Sequence, residues 1–179
     1  MLSESHDAEI VVRCQLGESD AWQELISRWH PRLTRFVHKM IPHRASAEDV
    51  LQVAWLRIVR SLVSLRDPAK FSAWSFRIAR LAVIDHLRHQ YRQPVETKSE
   101  FEVEQQNVAP DHLEIHDLIQ TGLEQLHASE REVIVLHYLE ELSIAEVAEI
   151  CSVATGTVKS RLHRARKVLR KALLDKEQK

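Results

Sequence analysis

The chain has 179 residues, with 25 Lys and Arg against 26 Asp and Glu, 2 Cys, and only 3 Gly and 5 Pro. That length allows one large or two small domains, and the scarcity of Gly and Pro beside abundant Leu, Ala, Glu, Arg and Val favours an all-α chain. No apolar run approaches the ~20 residues of a membrane span, no signal-peptide start is present, and Cys14 and Cys151 lie far apart outside any C-x-x-C arrangement, so a reduced, cytoplasmic protein without membrane insertion is expected.

Residues 20–92 carry three amphipathic patterns. The first places Trp22, Leu25, Ile26, Trp29, Leu33, Phe36, Val37 and Met40 on one stripe, with Pro31 expected to kink it. The second opens at Ser46-Ala47-Glu48-Asp49, which reads as a cap with acids in the first turn, and runs through Leu51, Ala54, Trp55, Ile58 and Leu62. A helix-breaking loop, Leu65 to Lys70 around Pro68, separates it from the third. The third pattern runs from about Phe71 to Tyr91, with Phe71, Trp74, Ile78, Leu81/Ala82, Leu87 and Tyr91 on its apolar side. It mixes cations with aromatics, a combination suited to opened DNA, where bases stack and cations follow the backbone. Of these, Arg77, Arg80 and Arg88 are better candidates than Phe71 and Trp74, which lie on the apolar stripe.

Residues 93–112 have no sustained period, are rich in acids and are bracketed by Pro94 and Pro110, the composition of a flexible linker. Residues 113–179 then read as a four-helix unit. A helix from about Asp111 to Leu126 carries Ile115, Leu118, Ile119, Gly122, Leu123 and Leu126. Another opens with the box Ser129-Glu130-Arg131-Glu132 and continues through Val133, Leu136 and Tyr138. Ser143-Ile144-Ala145-Glu146 is a second capping box, followed by Val147, Ala148 and Ile150/Cys151 on one side and a break at Ser152-Val153-Ala154. Ser152 occupies the turn position that favours a positive φ and hence Gly. Thr155 is placed to cap the last helix, whose apolar positions are Val158, Leu162, Ala165, Leu169 and Ala172/Leu173. Its opposite side presents Lys159, Ser160, His163, Arg164, Lys167 and Arg170.

Charge separates these segments. Residues 93–149 hold 14 acids and 2 bases, whereas residues 150–174 hold 7 bases (Lys159, Arg161, Arg164, Arg166, Lys167, Arg170, Lys171) and no acid. A basic helix behind a capped helix and a short break has the pattern of a helix-turn-helix, in which the second helix enters the DNA major groove.

Other classes fit less well. No nucleophile elbow, P-loop or dinucleotide fingerprint is present, so no catalytic residue is assigned and an enzyme is not expected. His112/His116 and His86/His89 have helical spacings that would suit a metal, yet neither pair has a nearby Cys; no metal or cofactor is expected. A stand-alone helix-turn-helix regulator is the alternative, which would bind a palindromic operator by itself.

The whole pattern resembles the extracytoplasmic-function (ECF) sigma factors, the minimal initiation subunits of bacterial RNA polymerase in the sigma-70 family. Gly156-Thr157-Val158-Lys159-Ser160-Arg161-Leu162-His163-Arg164-Ala165-Arg166, with Glu146 to Ile150 before it, is similar to the family's recognition-helix signature. Ala47 to Gln52 resembles its polymerase-binding helix. Phe71-Ser72-Ala73-Trp74, Ile78-Ala79-Arg80 and Ile84-Asp85-His86-Leu87-Arg88 resemble its promoter-opening helix. The resemblance implies that residues 1–92 bind the polymerase and the −10 element, with Asp49, Gln52 and Trp55 docking on the β′ clamp. It implies that Arg66, Lys70, Trp74, Arg77, Arg80, Asp85 and Arg88 act at the −10 element. Thr157, Lys159, Ser160, Arg161, His163, Arg164 and Lys167 would act at the −35 element. It further implies contact with the β flap, a linker threading the RNA-exit path, and an anti-sigma factor as partner. The chain departs from the family pattern at Val53 (usually an acid), Leu81 (usually Asn), His127 (usually Pro) and Ser152 (usually Gly).

Overall fold

The computed structural model describes residues 2–92 and 121–177, and every element among them is helical. In chain order these are α1 (Leu2–Gln15), α2 (Ser19–Met40), α3 (Arg44–Ser61), two 3₁₀ turns (Leu62–Ser64 and Pro68–Lys70), α4 (Phe71–Arg92), α5 (Ala128–Ile134), a π-helical turn (Val135–Leu139), α6 (Ile144–Cys151) and α7 (Thr155–Glu177). They fall into two compact units, the first made mainly of residues 1–93 and the second mainly of residues 94–179.

The N-terminal unit is built round an aromatic cluster. Trp29 meets Phe71 edge-on at 5.0 Å and Phe76 at 6.0 Å, Phe36 meets Phe76 at 5.7 Å, and the Arg32 guanidinium lies 4.4 Å over the Trp29 ring. Edge-to-face pairs bring the positive ring edge to the negative ring face, so they hold orientation as well as bury area. α2 runs on through Pro31, which does not end it.

α1 is not foreseen from the sequence. Its buried side chains include Ile10, Val11 and Cys14, while Val12 and, just past the helix, Leu16 are exposed, so the apolar run gives no clean helical stripe. It is tied to α2 by ion pairs: Arg28 Nε to Asp7 Oδ1 at 2.8 Å and Arg13 Nη1 to Glu24 Oε2 at 3.0 Å. Gly17 (φ +89°) terminates α1: its N–H donates to Cys14 O and the Glu18 N–H to Arg13 O, a Schellman motif with Gly in the left-handed position.

Two expectations for this unit are corrected. α3 starts at Arg44 rather than at Ser46, and the cap is His43, whose Nδ1 accepts from the Ser46 amide at 3.3 Å; no acid lies in the first turn. An imidazole nitrogen does here what a hydroxyl usually does. The buried side of α4 is also rotated from the predicted stripe. Phe71, Ala73, Ser75, Phe76, Ala79, Ala82 and Val83 are buried, Trp74, Ile78 and Leu87 are half-buried, and Leu81 is 44% exposed. α4 packs against both α2 and α3, and its small residues let those neighbours approach on two sides. The Tyr91 side chain lies outside the described residues.

The predicted linker and most of the Asp111–Leu126 helix, with His112 and His116, also lie outside the described residues; residues 121–124 are its helical end. A Cβ on buried Gly122 would sit 2.8 Å from Leu169 Cδ2, so the missing side chain lets this turn lie close to α7. Arg131 closes the same turn, donating to Leu123 O at 2.8 Å and Glu124 O at 3.2 Å, and burial lowers its pKa from the ordinary value.

α5 begins two residues earlier than the box at Ser129 suggests. The His127 carbonyl accepts from the amides of Glu130 (2.8 Å) and Arg131 (2.9 Å), which makes His127 the cap residue and places Ser129 inside the first turn. Tyr138, expected on the apolar stripe, is exposed because the π turn inserts an extra residue per turn and swings it outward. The second box forms as predicted: the Ser143 amide donates to Glu146 Oε2 at 2.8 Å and the Glu146 amide to Ser143 Oγ at 3.2 Å. α6 ends in another Schellman motif, Val153 N–H to Ala148 O at 3.0 Å and Ser152 N–H to Glu149 O at 3.2 Å, with Ser152 at φ +55°. The cap of α7 is Ala154, whose carbonyl accepts from Thr157 and Val158; Thr155 falls in the first turn rather than at the cap.

Candidate nucleic-acid interface

α7 is amphipathic in fact as well as in sequence. Val158, Leu162 and Ala165 are buried, and α7 packs through this side of the unit on α5. Lys159, Ser160, His163, Arg164, Lys167 and Arg170 are exposed, and Thr157 and Arg161 are half-buried. None of these cations turns into the interior. At about 1.5 Å per residue the helix is about 35 Å long, enough to cross a major groove and reach the phosphates on both sides. The hydroxyl of Ser160 donates to Thr157 O at 2.9 Å. Arg164 Nε lies 3.2 Å from Glu130 Oε1, so one edge of its guanidinium is held by an acid on α5.

The residues expected at a −10 element lie along the loop and α4. Arg66, Lys70, Arg77 and Arg88 are exposed; Trp74 and Arg80 are half-buried. The Trp74 ring lies 5.8 Å from Phe71, and Phe71 and Phe76 are core residues, unavailable to stack on a base. Asp85 Oδ2 accepts from Arg57 Nη2 at 2.9 Å, linking α4 to α3. The loop is ordered by its own cap: Asp67 Oδ1 accepts from the Ala69 amide at 3.2 Å and Asp67 O from the Lys70 amide at 3.0 Å.

On α3, Asp49 and Gln52 are exposed. Trp55 is half-buried, its ring stacked on His30 at 6.3 Å with Nε1 enclosed and unpaired. The stripe continues instead through Leu56, Val59 and Val63, all exposed. Sequence reasoning missed this apolar stretch; its only signal was the i, i+4, i+7, i+11 spacing from Gln52, which also suits a buried face. Val53 is exposed beside it. His86 is half-buried with Nε2 enclosed, His89 is exposed, and among the described residues no group of three or more His, Cys, Asp or Glu is placed to hold a metal. No helix among them is long and apolar enough to cross a membrane.

A helical unit with a capped loop and a cationic face, followed by a helix-turn-helix unit with a basic second helix, defines a DNA-binding transcription factor of two modules. Residues 25–93 match sigma-70 region 2 and residues 116–169 match sigma-70 region 4. The ECF RNA polymerase sigma factor SigW of Bacillus subtilis is 32% identical, with 89% of this chain and 92% of that protein covered. The sigma factor CarQ of Myxococcus xanthus is 31% identical over 88% of this chain and 91% of its own length. The solved structure of CnrH in complex with the cytosolic domain of CnrY matches with a TM-score of 0.70 at 26% identity, covering 94% of this chain and 97% of that one. The chain belongs to the ECF sigma factors of the sigma-70 family, and it is a promoter-specificity factor that directs RNA polymerase in transcription initiation.

Proposed function

We propose that promoter recognition is divided between the two units, with residues 1–92 serving polymerase docking and the −10 element and residues 113–179 the −35 element. The observation that carries this reading is the exposed cationic side of α7 opposite its buried apolar side. His163 and Arg164 face base edges; Lys159, Arg161 and Lys167 contact phosphates, with Thr157 and Ser160 at the groove entrance. Arg66, Lys70, Trp74, Arg77, Arg80 and Arg88 line the path of the opened −10 strand, with Asp85 setting α4 through Arg57. Asp49 and Gln52, continued by Leu56 and Val59, form the docking stripe for the β′ clamp, and the β flap receives the C-terminal unit.

The free chain binds promoter DNA weakly, because it carries no net positive charge overall to hold DNA. Docking on the polymerase makes the DNA contacts effectively intramolecular and supplies the missing affinity. The factor works in the cytoplasm, without catalysis or a cofactor of its own. An anti-sigma protein is its regulatory partner; the matching structure of CnrH is likewise a complex, with the cytosolic domain of CnrY.

Site-specific photocrosslinking tests the assignment. A crosslinker at position 52, 70 or 163, in holoenzyme on a promoter, is expected to label β′, the −10 non-template strand and the −35 region, respectively. Labelling of the −10 strand from position 163 would overturn the division of labour.

A further inference from the structure

We propose that Gln15 is a positioning residue for the −10 loop, and that α1, which lies outside the segment matching sigma-70 region 2, serves promoter opening through it. The inference rests on the reading above that the Arg66–Lys70 loop acts at the −10 element.

Gln15 Nε2 donates to two backbone carbonyls far away in the chain, Leu62 O and Leu65 O, each at 2.9 Å. Both amide protons are thereby used. Leu62 O also accepts the Leu65 amide at 3.0 Å, so a single side chain fixes both ends of the tight turn that follows α3. Leu62 O thus gains a second donor beside the Leu65 amide, while Leu65 O, just past the helical turn, takes its donor from the glutamine. Gly17, in the left-handed conformation two residues later, fixes where α1 stops and therefore where Gln15 sits.

The loop beyond the turn is held at its other end by Phe71, buried under Trp29. Between these anchors Arg66, Asp67, Ala69 and Lys70 are exposed. α1 also packs against the 3₁₀ turn Pro68–Lys70. A loop that is already ordered loses less freedom when it captures a base flipped from the duplex, so its contacts are spent on the base rather than on ordering itself. Gln15 does not touch the DNA; it sets the loop that does.

The test uses Q15M, which keeps length and removes both donors, and Q15E, which places acceptors against acceptors. Each is reconstituted with core polymerase below its own melting temperature. Permanganate reactivity of unpaired thymines is read on promoters with intact or scrambled −10 elements. Both variants are expected to bind core polymerase and depend on the −35 element as the parent does, while discrimination between intact and scrambled −10 elements falls at least ~3-fold. A uniform loss on all promoters, or unchanged discrimination, would overturn the proposal. K70A, run in parallel, separates the two levels. If K70A leaves −10 discrimination intact, the loop assignment itself fails; if K70A loses it and Q15M keeps it, only the role of Gln15 fails.

Discussion

Arg164 and Glu130 face each other across α7 and α5, Nε to Oε1 at 3.2 Å, with the arginine side chain 63% exposed and the glutamate 16%. With its arginine side largely open to water, such a pair is worth about 1 kcal/mol or less. A bidentate base contact is worth roughly 1–3 kcal/mol of discrimination. The pair therefore orients the guanidinium without withholding it from DNA. Glu130→Gln should raise affinity for non-specific duplex and reduce discrimination among −35 variants, measured by competition binding of holoenzyme; unchanged discrimination would remove Glu130 from specificity.

Arg164→Ala should lower promoter activity and shift base preference at the −35 element, whereas Lys167→Ala should weaken binding alike on all sequences and reduce the salt slope by about 1. Salt-dependent binding on a panel of −35 variants separates the two, and parallel losses on every variant would cancel the distinction.

Ser152 and Gly17 occupy the same place in two Schellman motifs, at φ +55° and +89°. A side chain in that conformation costs about 1 kcal/mol or more, offset partly by the greater freedom glycine brings to the unfolded chain. Ser152→Gly is thus expected to stabilise the C-terminal unit by up to about 1 kcal/mol, and Gly17→Ala to destabilise the N-terminal one by a similar amount. Thermal melts of the two variants check both signs.

Gln52→Ala should reduce affinity for core polymerase without altering the melting temperature, because its side chain is exposed and surface changes of this kind shift stability by less than about 0.5 kcal/mol. Leu56→Asp should do the same more strongly if the apolar stripe is part of the docking face. A titration of core polymerase with labelled protein reads both.

Burial pushes the Cys14 thiol up to about 11, above its value in the unfolded chain. A raised folded pKa means that stability is fully present at neutral pH and is lost as pH rises from about 9 towards 11. The melting temperature should fall across that window, and Cys14→Ala should flatten the fall. At pH 8 the native protein should resist alkylation at Cys14 until it is unfolded.

The helices with a continuous apolar stripe, α2 (except Ile26, expected on it but exposed) and α7, were legible from spacing alone, and so were the Ser143–Glu146 box and the left-handed turn at Ser152. What the sequence hid was set by tertiary contacts. α1 has too broken a stripe to declare itself, and α4 packs on two sides, so small residues rather than Leu81 face inward. Caps were misplaced wherever the capping atom was unusual: an imidazole nitrogen at His43, or a backbone carbonyl alone at His127 and Ala154. For the candidate site, the cationic face of α7 was readable as charge opposite a stripe. The Glu130 and Gln15 contacts were not, because both join residues that no local period connects.

The central claim is that one chain reads two promoter elements only when docked on the polymerase. The direct measurement is transcription by core polymerase, with and without this protein, on promoters whose −10 and −35 elements are scrambled one at a time. Transcription that requires the protein and falls with either scramble is the expected result. Equal transcription without the protein, or tight binding of the free protein to a palindromic site, would contradict it.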